Sequence, residues 1–325
     1  MKVKVGFIGA GGMATAHMDR LSKMPNVEII AISDIIESKA KEKAQSYNAK
    51  PYTDFHLMIE KEEMDAIWVV IPPFAHSDEI KIAAEKGIHV FIEKPIAPTL
   101  ESAREMEKTT EKYKIKTIVG YHWRQFEAIK RGKNIIENEG GPIGMVAGYW
   151  WGGIPGGPDH WWRRKEISGG QVVEQTTHIF DLSRHLAGEV DRVFAEFATI
   201  LNADQPNFTV EDVSIVTLRF KSGAIGYVTS TSGAIPEGTY VGLKLLARNL
   251  HFQTEGKTAR IWKRRESIEL KSSNDPVWDE DILFIEAIQN DTKVEPTISE
   301  ALKSLEISIA AVKSAEKAEI IKLPL

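Results

Sequence analysis

The first apolar run of the chain, Val3–Ile8, empties directly into Gly9-Ala10-Gly11-Gly12-Met13-Ala14, and helix-compatible residues follow. This G-x-G-x-x-A spacing constrains the fold more than any other feature. The first glycine permits a tight turn, the second lets a pyrophosphate reach the backbone, and a small third residue lets helix and strand pack closely. A helix beginning there offers free N–H groups and the positive end of its dipole to phosphate. A glycine turn serving only tight packing would leave the same trace. However, a second strand, Val27–Ser33, ends at Asp34, roughly 20 residues on, where a carboxylate can accept hydrogen bonds from a ribose diol. Gly9, Gly11, Gly12, Met13 and Asp34 are therefore the expected nucleotide contacts. Asp34 would repel a 2′-phosphate, so NAD is expected over NADP, with Ser33 and Lys39 near enough to temper that preference.

The rest of the first 120 residues repeats the strand–helix alternation. Ala66–Ile71, His89–Ile92 and Thr117–Val119 are short apolar runs, separated by polar segments of helical spacing at Ser38–Tyr47, Ala75–Lys86 and Leu100–Tyr113. Strands apolar throughout and divided by helices predict a doubly wound parallel sheet covered on both faces. After Gly120 the texture changes. Gly140–Pro158 is rich in Gly, Pro and Trp and reads as a shaped loop, with prolines at Pro142, Pro155 and Pro158. Gln171–Leu186 reads as one helix. Then come β-rich runs at Arg192–Ile200, Val213–Phe220, Ala224–Ser230, Tyr240–Leu246 and Ala259–Lys263, which predict a mostly antiparallel sheet. Two amphipathic helices, Asp279–Gln289 and Ser299–Lys317, close the chain. At 325 residues, about two domains are expected: a cofactor domain over 1–120 and a substrate-binding and oligomerisation domain over 121–325.

Composition excludes several chemistries. The chain has no cysteine, which removes disulfides, thiolate nucleophiles and cysteine-ligated metals together and fits a cytoplasmic setting. The net charge is −5 and neither half is basic, so no nucleic-acid partner is expected. No apolar run approaches a bilayer span, and the N-terminus reaches Gly6 and Gly9 too early for a signal-peptide core. A soluble, membrane-free protein is expected.

The strand His89–Ile92 ends in Glu93-Lys94-Pro95. Ligands of open α/β sheets bind beyond the carboxyl ends of strands, so Lys94 stands where a reacting group would lie. At this point the sequence resembles the Gfo/Idh/MocA family of glucose–fructose oxidoreductase and inositol dehydrogenase relatives. The resemblance rests on Gly9–Ala14, on Val69-Val70-Ile71-Pro72-Pro73 followed by His76, on Glu93-Lys94-Pro95, and on the later Gly169-Gly170…His178…Asp181 block. It extends to Ser314-Ala315. It implies a Rossmann domain followed by an α/β domain with a large open sheet, and a dimer or tetramer. It also implies Pro72, His76, Glu93 and Lys94 at the cofactor and Lys94 near the reacting carbon. An ammonium there can stabilise a developing alkoxide while hydride leaves, and Pro95 suits a cis bond at a sharp strand end.

On one helix, Glu174, His178 and Asp181 would share a face at i, i+4 and i+7. A carboxylate, an imidazole and a second carboxylate make a general-base constellation. Where the family usually reads Asp-x-Gly-x-His-x-x-Asp, this chain has Glu174 and Thr176 at the first two places. The resemblance implies His178 as acid/base, Glu174 as its helper or a substrate ligand, and Asp181 as a substrate ligand. Five of eight tryptophans (Trp123, Trp150, Trp151, Trp161 and Trp162) fall in one stretch. With His122 and Arg124 they suit a carbohydrate face, and equally a core or subunit interface. His122, Trp123, Arg124 and Trp151 are the expected substrate contacts.

Together these predict an NAD(P)-dependent dehydrogenase acting on a secondary hydroxyl of a sugar, sugar acid or cyclitol, with no metal. Glycoside cleavage through transient redox, and nucleotide sensing without turnover, fit the same residues.

Overall fold

The short aliphatic runs of the first 120 residues become parallel strands because each is buried on both faces by the helices between them. A computed structural model describes residues 2–325. In chain order the first elements are β1 (Val3–Ile8), α1 (Gly12–Leu21), β2 (Val27–Ser33), α2 (Glu37–Tyr47), β3 (Lys50–Tyr52), α3 (Phe55–Lys61), β4 (Ala66–Val69), α4 (Glu79–Glu85), β5 (His89–Ile92), α5 (Leu100–Tyr113) and β6 (Thr117–Val119). Their sheet runs in the order β3-β2-β1-β4-β5-β6, the doubly wound order whose direction reverses between β1 and β4. Helix ends follow local chemistry: Thr99 caps α5 by accepting from the Ser102 N–H, and Asn48 ends α2 in the left-handed region. Phe7, Trp68 and Phe91 stack along the middle of this core, with ring centroids 5.9 and 5.6 Å apart.

The second half contributes α6 (Glu127–Glu139), β7 (Ile143–Trp151), α7 (Lys165–Ser168), α8 (Gln171–Glu174), α9 (Thr177–Ala187), β8 (Val190–Ala198), β9 (Val213–Phe220), β10 (Ile225–Thr231), β11 (Tyr240–Ala247), β12 (Leu250–Glu255), β13 (Thr258–Lys263) and β14 (Glu266–Lys271). After them come α10 (Pro276–Asn290), α11 (Ile298–Lys317) and β15 (Ile321–Lys322). Nine strands form a sheet in the order β14-β13-β12-β11-β7-β10-β9-β8-β15. Every pairing in it is antiparallel except β7 with β10. One face carries Val146, Val216, Val228, Leu243 and Leu245 into a core shared with α6 and α9. Gly148 allows the close approach of α9, since a Cβ there would lie 2.4 Å from Ile179 Cγ2. The other face shows Ile215, Ile225 and Trp151 to solvent.

The chain divides into two compact units. One comprises the residues up to His122 together with Asp275–Leu302, the other Trp123–Asn274 and Lys303–Leu325. Thus α10 returns to the first unit, where Phe284 and Ile285 join the core of Phe7, Trp68 and Phe91. Asp275 caps α10 by accepting from the Val277 and Trp278 N–H groups, with Pro276 opening the helix.

Two expected elements differ. The segment read as a loop over Gly140–Pro158 contains β7, the strand paired with both β10 and β11. Within it, Gly148 is not a turn but a gap in side-chain volume for α9. The single helix expected over Gln171–Leu186 is two, with Gln175 and Thr176 between α8 and α9. No helix among the described residues is long and apolar enough to cross a membrane.

Candidate active site

In the first unit, the turn after β1 depends on glycine. Gly9 has φ +104°, and a Cβ there would lie 2.2 Å from the Val70 carbonyl oxygen, so only glycine fits. Gly11 caps α1 without a side-chain hydrogen bond, leaving the first-turn N–H groups available to an anion. No atom lies within 4 Å of where a Cβ would stand on Gly11 or Gly12. That open cradle fits a dinucleotide pyrophosphate. Met13 lies in the first turn of α1. The Asp34 carboxylate braces the loop: Oδ2 accepts from the Ala10 N–H at 2.9 Å and Oδ1 from the Ile36 N–H at 2.9 Å. A carboxylate has about four acceptor sites, so capacity for a ribose diol remains.

Pro72 follows β4 at the point where the sheet order reverses, and the next residues form a short 3-10 turn, Pro73–Ala75. His76 is fixed by Glu79, with Nδ1 2.5 Å from Oε1, and the Ser77 N–H donates to the other oxygen at 2.7 Å. At the end of β5, Glu93 is buried and its Oε2 accepts the backbone N–H of Lys94 at 3.1 Å. The Lys94–Pro95 peptide is cis, as the sharp strand end suggested. Burial depresses the His122 imidazole to about 4; the nearby Glu93 charge works against this, while Lys94 and His17 add to it. His122 is therefore neutral at physiological pH.

In the second unit, the His178 ring is buried and stacks on Trp150, with centroids 5.6 Å apart and planes 12° from parallel. Glu174 does not share its helix. From α8, Glu174 Oε2 accepts the indole N–H of the buried Trp162 at 2.9 Å. The single helix expected to carry Glu174, His178 and Asp181 is thus interrupted at Gln175 and Thr176, with Glu174 on α8 and the other two on α9. Asp181 accepts three hydrogen bonds: Arg124 Nε and Nη2 donate to its two oxygens at 2.7 and 2.6 Å, and the Ser304 hydroxyl donates at 3.0 Å.

The aromatic expectations also shift. Successive strand residues face opposite sides, so Trp150 and Trp151 on β7 cannot both serve one face. Trp150 meets His178. Trp151 is exposed on the other side, donating to the Thr229 hydroxyl at 2.9 Å and packing against Tyr149. Trp123 is buried against Phe126 and Trp150. Trp150 was not among the expected contacts, and strand parity at β7 is the signal that separates it from Trp151.

A third cluster had no sequence signal. His17, Glu93 and Glu280, all buried, bring potential ligand atoms within 4.8 Å of one another.

These features define a nucleotide-binding oxidoreductase, and comparison with known proteins agrees. Residues 3–121 match the GFO/IDH/MocA oxidoreductase family, NAD-binding Rossmann fold. Residues 132–243 match the GFO/IDH/MocA C-terminal domain. The chain is 30% identical over 240 residues to myo-inositol 2-dehydrogenase of Thermotoga maritima, covering 72% of this chain and 70% of that protein. It is 25% identical over 308 residues to levoglucosan dehydrogenase of Pseudarthrobacter phenanthrenivorans, covering 84% and 77%. A solved levoglucosan dehydrogenase, in complex with NADH and levoglucosan, shares the fold with a TM-score of 0.92 over 100% of both chains at 22% identity. The chain belongs to the GFO/IDH/MocA family of oxidoreductases, and its first unit is an NAD-binding Rossmann fold.

Proposed function

We propose that the protein is an NAD-dependent dehydrogenase oxidising a secondary hydroxyl of a cyclitol, sugar or sugar acid, or running the reverse reduction. Lys94 and His178 carry the chemistry at oxygen. The observation that supports this most is the placement of Lys94 at the carboxyl end of β5, in the sheet whose glycine loop opens α1. The cyclitol and sugar classes come from the names of the relatives, myo-inositol 2-dehydrogenase and levoglucosan dehydrogenase.

Bound NAD would accept the hydride. Gly9, Gly11, Gly12 and Met13 hold its pyrophosphate, Asp34 its ribose, and Pro72, His76 and Glu93 line the cofactor side. Asp34 favours NAD over NADP, because a carboxylate there repels a 2′-phosphate. The Lys94 ammonium donates to the substrate oxygen and stabilises the alkoxide that develops as hydride leaves. His178 takes the hydroxyl proton as general base, its ring plane fixed by Trp150. Glu174, anchored by the Trp162 indole, assists His178 or holds a substrate hydroxyl. His122 offers a neutral hydrogen-bonding ring. Arg124 and Asp181, occupied with each other, act as a positioning pair rather than as separate ligands, and the aromatic role expected of Trp151 passes to Trp150.

The first unit serves the cofactor and the second the substrate. The reading places the protein in the cytoplasm as a homo-oligomer joined through the uncovered sheet face, where Tyr149, Tyr227, Tyr240 and Trp151 cluster. The test is NADH formation by purified protein across a panel of cyclitols, hexoses, sugar acids and anhydrosugars. Turnover on at least one, lost in Lys94→Ala, supports the reading. Absence of turnover on all, or full activity in Lys94→Ala, defeats it.

A further inference from the structure

The His17 imidazole, on α1, is fully buried, and both of its ring nitrogens meet carboxylates. Nδ1 lies 2.8 Å from Asp281 Oδ1 on α10, and Nε2 lies 3.3 Å from Glu93 Oε1. The same Asp281 oxygen accepts the indole N–H of Trp68, from β4, at 2.9 Å. The second Glu93 oxygen accepts the Lys94 backbone N–H. A Cβ on Gly120 would lie 2.6 Å from Glu93 Oε1, so the chain leaves room for this carboxylate. One connected path thus joins the helix that opens at the glycine loop, the end of β5 and α10.

Glu280 lies beside this path, almost fully buried, and its Oε1 has no hydrogen-bond partner among the described residues. Three carboxylates and one imidazole walled by Trp68, Phe91 and Phe284 cannot all be ionised, because an uncompensated buried charge is costly. The groups facing the cluster are His17 and Arg20 from α1, Glu93 and Lys94 just after β5, His122, and Asp275, Glu280 and Asp281 at α10. Burial pulls the His17 imidazole down, but the charge and hydrogen bonds of Asp281 and Glu93 outweigh it and raise it to about 10. Burial and the neighbouring Glu93 charge push the Glu280 carboxyl well above the usual carboxylate range. For Glu93, burial pushes upward, but the His17 hydrogen bond and charge hold it below that range. Burial also pushes the Asp281 carboxyl upward, against the charge and hydrogen bonds of His17 and Trp68, so Glu93 is the one carboxyl of the three held below its ordinary range.

We propose that His17, clamped between Asp281 and Glu93, is a positioning residue for Lys94: it fixes the Glu93 carboxylate that holds the Lys94 backbone, and ties that strand end to the cofactor-binding helix. This rests on the role given above to Lys94 and extends it. Removing the clamp lets the ammonium drift, and a small misplacement of a reacting group costs up to about 100-fold in rate.

The experiment has a spectroscopic and a kinetic arm. In full-length protein labelled with 15N-histidine at pH 8, His17 is expected to show two protonated ring nitrogens, the signal being assigned by its absence in His17→Gln. Glu280→Gln keeps that signal, and Asp281→Asn moves it toward neutral imidazole. In the kinetic arm, His17→Gln lowers kcat about 10- to 100-fold, with the KM for substrate and the affinity for NAD nearly unchanged. A neutral His17 at pH 8 overturns the proposal, whether or not the variant folds. So does one divalent cation per chain surviving EDTA dialysis, or undiminished kcat in a folded His17→Gln. Failure of the dehydrogenase reading is distinct: wild-type protein would then show no turnover, while the His17 signal stands on its own.

Discussion

Arg124 and Asp181 form a two-pronged ion pair, 2.7 and 2.6 Å long, with both side chains buried. Bidentate geometry satisfies the fork of the guanidinium and both carboxylate oxygens at once. The pair extends through the Ser304 hydroxyl, which donates to Asp181 and accepts from Arg184 Nη1 at 2.9 Å. Breaking one partner of a buried pair strands the other charge, at about 3–5 kcal/mol. Arg124→Met alone should therefore lower stability by that amount in urea unfolding. The double variant Arg124→Met/Asp181→Leu should recover most of the loss. A neutral single variant would show that the pair does not set the stability of this region.

Asp34 has two jobs that one substitution separates. Its oxygens brace the glycine loop through the Ala10 and Ile36 N–H groups, and the ribose is expected at the same carboxylate. A hydrogen bond to a charged group contributes about 1.5–3 kcal/mol. Asp34→Ala should weaken NAD binding roughly 10- to 100-fold by calorimetry, and NADP binding less, since the repulsion is removed with it. An unchanged NAD-to-NADP ratio would contradict the cofactor assignment.

Much of this was legible in the residues themselves. The doubly buried strands of the first unit announce themselves as continuous apolar runs, and the β9–β10 hairpin through Lys221-Ser222-Gly223. The β12 and β14 strands were missed, because Leu250–Glu255 and Glu266–Lys271 carry few buried apolar side chains (Leu250 and Phe252 in one, Leu270 in the other) among polar and charged residues. The β7 strand read as a loop because glycine rarity in strands is a statistical rule, and helix packing at Gly148 overrides it. Helical spacing also assumed that one helix ran from Gln171 onward. A two-residue break puts Glu174 at the end of α8 and His178 in the first turn of α9. His17 carried no signal at all. A lone helical histidine gains meaning only when the fold brings Asp281, 264 residues away in sequence, against it.

The titrations give stability a definite pH dependence. His17 is raised to about 10 in the fold against about 6.5 when unfolded, so the native state binds the extra proton between those values. Its contribution is complete below pH 6.5 and is lost as pH rises toward 10. His122 behaves oppositely: depressed to about 4, it favours the fold above pH 6.5 and loses that contribution as pH falls toward 4. Thermal unfolding should show Tm falling between pH 7 and 10 in wild type, and a flatter alkaline limb in His17→Gln. Identical limbs would remove His17 as the cause.

The uncovered face of the nine-stranded sheet should be where copies of this chain meet. The Tyr149 and Tyr227 hydroxyls bond each other at 2.9 Å, beside the exposed Trp151. Aromatic clusters of this kind are common at interface centres. Tyr227→Arg should convert a dimer or tetramer to smaller species in light scattering, with the fold intact by circular dichroism. A wild-type monomer, or an assembly insensitive to this substitution, would contradict the placement.

The central claim is that Lys94 acts on the substrate oxygen rather than on folding or cofactor affinity. The most direct measurement is kcat of Lys94→Met with the substrate found in the panel, alongside NAD binding by calorimetry on the same preparation. The account predicts kcat lower by about 10²–10³-fold with NAD affinity nearly unchanged. Unchanged kcat, or a loss of NAD affinity matching the loss of rate, would contradict it.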